Sequence, residues 1–270
     1  MITLMTLGAL LLYVLSLALY LSYLYANKPW IGRFASLCLL GGLLLNFFSL
    51  LNRARLLQSV PYQDLYGSMS LFAWFLGLTY LGLEIVHRQR SVGPFVLPFV
   101  LLLFVIAEYA PVSPLAPPSG RGSLFALHVT LSILAYSAFA ISFVLSLIYL
   151  IQNHVLRGRK PGATFWNYPS LQTLDRMSRS SVLMGIVALS IGIAAGFVSV
   201  YRVRGQVWEG DPKEIWSLLI FATYGSYLWL ARTTAWRGAR ASYLSVVNFL
   251  FVLFSYTVVN LFLSHYHRYF

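Results

Sequence analysis

Charge is scarce in this chain. Only 10% of its 270 residues are Asp, Glu, Lys or Arg, and 59% are hydrophobic, where a soluble domain carries about 25% charged residues. That leaves too little polar surface to solvate a globule of this size and places the chain in a membrane. Acids are scarcer still, seven against nineteen Lys and Arg, for a formal net charge of +12. Long polar stretches are missing too. None exceeds about thirty residues, which excludes a soluble catalytic domain, an ATPase or a nucleic-acid module beside the membrane part. Cysteine occurs once, as Cys38 within an apolar run, so a disulfide framework and every two-cysteine motif are excluded within the chain. No internal repeat or dividing linker appears, and residues 1–270 read as a single integral-membrane domain.

What the chain has in abundance is apolar runs. A hydrocarbon core about 30 Å thick takes roughly twenty residues of helix, and only helices or closed barrels satisfy their own backbone groups there. Eight such runs occur, at residues 2–25, 34–51, 65–86, 94–110, 124–151, 181–200, 214–231 and 241–263. The expected fold is all-α, a polytopic transmembrane helical bundle of about eight spans. The first run lacks the basic start, short apolar stretch and small-residue cleavage site of a signal peptide, and is expected to stay as a helix.

Orientation follows from the basic residues, which are held on the cytoplasmic side during insertion. With the amino terminus outside, the inner connections collect Lys28, Arg33, Arg88, Arg90, Arg157, Arg159, Lys160, Arg176, Arg179, Arg232, Arg237 and Arg240. The outer ones keep Arg53, Arg55, Arg121, Arg202, Arg204, Lys213 and Arg268. This bias of twelve to seven predicts a multi-pass protein of a bacterial-type cytoplasmic membrane, both termini on the outer, periplasmic or extracellular, side. Five of the seven acids, Asp64, Glu108, Glu209, Asp211 and Glu214, then fall outside. The positive charge is a topology signal and a contact for anionic lipid, and its positions exclude nucleic acid as a partner.

Several local patterns stand out. The proline-rich stretch 111–123 predicts a stiff, irregular outer connection, and residues 152–180, with Trp166 and Tyr168 among basic residues, an amphipathic segment along the inner headgroups. Gly192-Ile-Ala-Ala-Gly196, with Gly185 on a related face, lets another helix approach closely, or leaves room for a flat ligand. Of five histidines, His87 and His154 sit beside basic residues at inner span ends and read as solvated interfacial side chains. His128 stands in the first turn of the fifth span, flanked by Leu127 and Val129, while His265 and His267 follow the last span. These three read either as interfacial histidines or as metal ligands converging at one membrane face. In Asp211-Pro212-Lys213-Glu214-Ile215-Trp216, Asp at the cap, Pro at the first helical position and Glu three residues on form a helix-start box. With Arg202 and Arg204 just upstream, the same amides also form a site that attracts carboxylates.

In combination these segments resemble the cytochrome c assembly superfamily of CcsA/HemX-like haem-handling membrane proteins. Leu127-His128-Val129-Thr130 running on to Leu134-Ala135-Tyr136 resembles the family segment with its first external histidine. Asp211-Pro212-Lys213-Glu214-x-Trp216 is similar to the end of its tryptophan-rich haem-binding loop, and Asn260-Leu261 with His267 and Tyr269 to the segment with its second histidine. Pro61, Leu65-Tyr66-x-Ser68 and Trp74 echo a further family segment, so the resemblance covers about residues 58–270.

The resemblance implies His128 and His267 as axial ligands of one haem iron at the outer surface, with Trp208, Asp211 and Trp216 in the loop and helix start beside the porphyrin. The cofactor is then haem b, resident or in transit. The partners are haem, the lipid bilayer, and an apocytochrome c or a second membrane assembly protein. The chain departs from the family pattern in two places. Residues 201–210 keep only Trp208 where the family loop has several tryptophans, and Ser59 and Trp229 stand where some members carry intramembrane histidines, which weighs against a through-membrane haem conduit. The leading expectation is a haem-handling protein of cytochrome c biogenesis, presenting haem at the outer face between two histidines. The second is a HemX-like regulatory or accessory protein of tetrapyrrole metabolism. A solute transporter is disfavoured, because Glu84 and Glu108 lie near span ends and no repeated broken-helix pattern occurs.

Overall fold

The computed structural model describes residues 2–57, 60–61, 65–110, 122–158, 167–205 and 212–255. Among them are eight α-helices and no strand. They are α1 (Ile2–Ala26), α2 (Pro29–Leu57), α3 (Leu65–His87), α4 (Gly93–Tyr109), α5 (Ser123–Arg157), α6 (Leu171–Arg204), α7 (Pro212–Leu230) and α8 (Ala239–Phe254), with a 3₁₀ turn at Thr234–Trp236 before α8. Five of them, α1, α2, α3, α5 and α6, are long and apolar enough to cross a membrane, and α4 and α8 are shorter apolar helices. The protein is a polytopic helical membrane bundle.

The helix boundaries obey local chemistry. Proline opens α2 and α7 and lies at the start of α4, where a missing N–H costs nothing. Ser170 caps α6 by accepting from the Thr173 N–H, and Gly205 closes it in the left-handed region at φ 70°. Within the helices, Ser36, Thr130, Ser132, Ser137 and Ser190 each donate to the carbonyl four residues back, so the hydroxyls need no water. Large apolar side chains such as Leu4, Leu11, Leu102, Leu183 and Trp229 are exposed, the surface expected of a lipid-facing protein.

One difference from the sequence reading concerns residues 152–180. The fifth helix runs on to Arg157 and the sixth begins at Leu171, ten residues before the apolar run. The early part of α6 buries Leu174 and Met177, exposes Arg176, and pairs Asp175 with Arg179 at 3.0 Å. Its amphipathic pattern therefore extends a spanning helix and packs on the bundle.

Two helix groups meet along α5. Tyr13, Tyr20, Leu39, Tyr80, Val96 and Phe104 build a core among α1–α4, which continues onto the later half of α5. A second core joins α5–α8, where Phe139 stacks on Tyr224 with centroids 3.7 Å apart. Gly185 of α6 admits that stack, since a Cβ there would stand 2.5 Å from the Phe139 ring. A chain of buried hydroxyls links the same four helices: Ser142 to Ser178 and to Ser245, both at 2.8 Å, and Ser178 to Tyr227 at 3.3 Å. In lipid, such bonds hold helices together where hydrophobic burial discriminates little. In the first group, Glu84 is buried near the end of α3. Tyr20 of α1, Ser36 of α2 and Tyr80 of α3 donate to its carboxylate, and Arg90 Nε lies 3.3 Å from it.

Candidate functional site

With helices running alternately up and down, the starts of α3, α5 and α7 and the finish of α6 arrive at one end of the bundle. An open cleft forms there, about 940 Å³ of space between atoms with its mouth included. Its walls are mainly apolar, with Phe125, Val129 and Ile133 from α5 facing Ile193, Phe197 and Val200 from α6. Polar groups enter at a few points: Ser68, His128, Ser132, Tyr136, Lys213, Glu214 and Ser217. An apolar cavity with a few convergent polar groups is the usual form of a small-molecule site.

His128 lies in the second turn of α5, because the helix begins at Ser123. Its Nδ1 is 2.7 Å from the carbonyl oxygen of Gly192, and its ring centroid is 6.1 Å from that of Phe125. The Ser132 hydroxyl donates to the His128 carbonyl at 2.8 Å. Gly192 and Gly196, noted in the sequence as a close-approach pattern, turn out to face His128 itself: a Cβ on Gly196 would lie 2.8 Å from Nδ1. Lys213 and Glu214 come from the first turn of α7, where helix α7 begins at Pro212 as the start box predicts, and Ser217 donates to the Glu214 carbonyl at 2.8 Å.

Of the other residues singled out from the sequence, some lie away from the cleft and some lie outside the described residues. Trp216 is turned to α8, its ring 4.9 Å from Phe254 and 6.3 Å from Phe251, and is not part of the cleft wall. Trp208, Asp211, His265 and His267 lie outside the described residues. His87 contacts the Ser180 hydroxyl at 3.1 Å, and His154 is exposed. Ser68 stood in the sequence only within a family-like segment, and sequence reasoning missed Ser132, Phe197 and Val200 as cleft residues. Only their position on helices that meet in space brings them together, and no local signal carries that. Among the described residues no three His, Cys, Asp or Glu side chains gather as a metal-binding group.

The profile of the cytochrome c assembly protein family matches residues 62–267. The chain belongs to that family. Among its relatives, the cytochrome c biogenesis protein CcsA of Chlamydomonas reinhardtii is 31% identical over 218 residues, which cover 77% of this chain and 60% of that protein. CcsA of Guillardia theta is 28% identical over 221 residues, covering 74% and 73%. CcsA of Prochlorococcus marinus strain MIT 9215 is 28% identical over 245 residues, covering 81% and 79%. The solved structure of the cytochrome c heme lyase CcmF superposes with a TM-score of 0.59 at 19% identity, covering 98% of this chain and 46% of that one. At that identity the likeness is one of fold. The chain thus spans 60% of the Chlamydomonas reinhardtii relative and under half of the lyase. The family match takes in all the cleft elements, from Ser68 through α5 and α6 to Ser217.

Proposed function

We propose that this protein handles haem in cytochrome c maturation, receiving it in the cleft at the start of α5. The observation that carries the reading is His128, an imidazole lining an apolar cleft in a chain of the cytochrome c assembly family. The residues suit the ligand: aromatic and branched side chains for a flat macrocycle, an imidazole for its iron, and Lys213 at the same cleft for a carboxylate. In this reading His267 supplies the second axial bond, Trp208 covers the porphyrin, and Asp211 caps α7 at the rim. Trp216 supports that rim through its packing on α8 rather than by touching the ligand.

The haem is haem b, held without a covalent link, and its vinyl groups are offered to an apocytochrome c whose cysteines form the thioethers. Cys38, within the spanning helix α2, has no part in that step. The cleft end is outside and both termini are outside, in a bacterial-type cytoplasmic membrane, which the twelve-to-seven distribution of basic residues supports. A second membrane assembly protein is the expected companion. One observation favours a different role. With Trp208 alone in residues 201–210, the covering loop is thin, as suits a HemX-like accessory protein that binds haem to regulate tetrapyrrole synthesis.

The test is an absorption spectrum of the purified protein with His128→Ala, His267→Ala and His265→Ala variants. Loss of a six-coordinate spectrum in the first two, with His265→Ala unchanged, is expected. An unchanged spectrum in the His128→Ala, His267→Ala double variant would overturn the ligand assignment. Capture of an apocytochrome c by the loaded protein separates maturation from the accessory role.

A further inference from the structure

The hydrogen bond between α5 and α6 in the cleft has a direction that chemistry decides. A backbone carbonyl has no proton to give, so in the 2.7 Å contact between His128 Nδ1 and Gly192 O the ring nitrogen is the donor. A neutral imidazole with its proton on Nδ1 keeps its lone pair on Nε2. We infer that α6 positions His128 for ligation: the Gly192 carbonyl holds the ring in its Nδ1-protonated form, and the missing side chain at Gly196 leaves the space in which the ring lies. The inference rests on the proposed haem site for the identity of the ligand, but not for the state of the ring.

The two glycines differ in what they do, although they sit one turn apart on the same face. A Cβ on Gly196 would stand 2.8 Å from Nδ1, 3.1 Å from Cε1 and 3.3 Å from Cγ of His128. The ring is not a flexible chain end that can step aside cheaply. To relieve the contact it must rotate, and rotation breaks the bond to Gly192. A Cβ on Gly192 would meet Leu131 Cβ at 3.3 Å and the His128 carbonyl oxygen and Ser132 Oγ at 3.5 Å, so it presses on the α5 backbone and not on the ring. If Gly196 served helix packing alone, Gly196→Ala would act on helix association as Gly185→Ala does through Phe139, and neither would single out the imidazole. If α6 positions the ring, only Gly196→Ala does so. The same carbonyl raises the basicity of Nε2 by accepting from the far nitrogen, the usual arrangement behind a metal-bound histidine.

The experiment uses the full-length protein in detergent, free of haem and labelled with ¹⁵N in the histidine rings, at about pH 8, where imidazole is ordinarily neutral. His128 is assigned by its absence from His128→Ala. The wild-type and Gly185→Ala rings are expected to show the Nδ1-protonated tautomer, and Gly196→Ala to lose it. On titration with haem, Gly196→Ala should bind about 10–100-fold more weakly with an altered axial-ligand band, the cost typical of losing such a support, while Gly185→Ala, which crowds Phe139 on the same pair of helices, stays near wild type. An Nε2-protonated His128 in the wild type overturns the inference without any variant of α6, so poor folding of Gly196→Ala does not shelter it. Equal effects of the two alanine substitutions on ring and haem also overturn it. If His128→Ala binds haem unchanged while the tautomer is as stated, the haem-ligand reading fails and the positioning of the ring stands.

Discussion

At the scale of single residues, the bilayer makes each unmatched polar group costly, and Glu84 is where this is most visible. Three hydroxyls and the Arg90 guanidinium surround a carboxylate that is 2% exposed. Glu84→Ala removes the acceptor that all four share, and should destabilise the protein by on the order of 3 kcal/mol, with Arg90 partly excused by its access to solvent. Thermal melting in detergent checks this. Tyr20→Phe, which deletes one donor of several, should cost less, and an equal loss would mean that the tyrosine ring packing governs instead. Packing gives the second case. Gly185→Ala puts a methyl group 2.5 Å from the Phe139 ring and should lower stability by about 1–3 kcal/mol through displacement of its stack on Tyr224. The same substitution leaves the His128 cleft untouched, so haem affinity in the fraction that stays folded should be near wild type.

At the scale of helices, punctuation made much of the architecture readable. Pro29, the Gly93-Pro94 pair and Pro212 stand at helix starts, and apolar runs of about twenty residues account for the spans. What the sequence could not disclose was facing. Nothing in the run around Gly192 says that its carbonyl meets an imidazole sixty-four residues earlier, and nothing near Glu84 names Tyr20 or Ser36. The start of α6 was also hidden, since Asp175, Arg176 and Arg179 interrupt the apolar pattern although the helix continues through them. His128 was legible because an imidazole among apolar residues is conspicuous, whereas Trp216 was legible as part of a motif but not as a neighbour of Phe254. The α7 start permits a test that separates scaffold from site. Asp211→Ala should cost about 0.5–2 kcal/mol as a lost helix cap, whereas Trp208→Ala should weaken haem retention and leave melting of the haem-free protein nearly unchanged. If both substitutions lower melting alike and haem retention is intact, the loop before α7 is scaffolding, and the accessory reading gains over maturation.

For the whole molecule, the orientation is the prediction with the widest reach. In a Cys38→Ser background, single cysteines at positions 120 and 160 are expected to react oppositely with a membrane-impermeant reagent on intact cells. Position 120 should label and position 160 should not. The reverse pattern would put the cleft on the cytoplasmic side and remove it from any secreted cytochrome. The Glu84 cluster carries a different lesson at this scale. The family profile begins at residue 62, yet a carboxylate inside the matched region draws hydroxyls from Tyr20 and Ser36 before it. A chain shortened to start at residue 62 would leave that acid facing lipid with two of its donors gone, together with the exposed flanks of α3 and α4. The segment that the family profile matches and the segment that can stand alone in a bilayer therefore have different borders, and the first pair of helices belongs to the second.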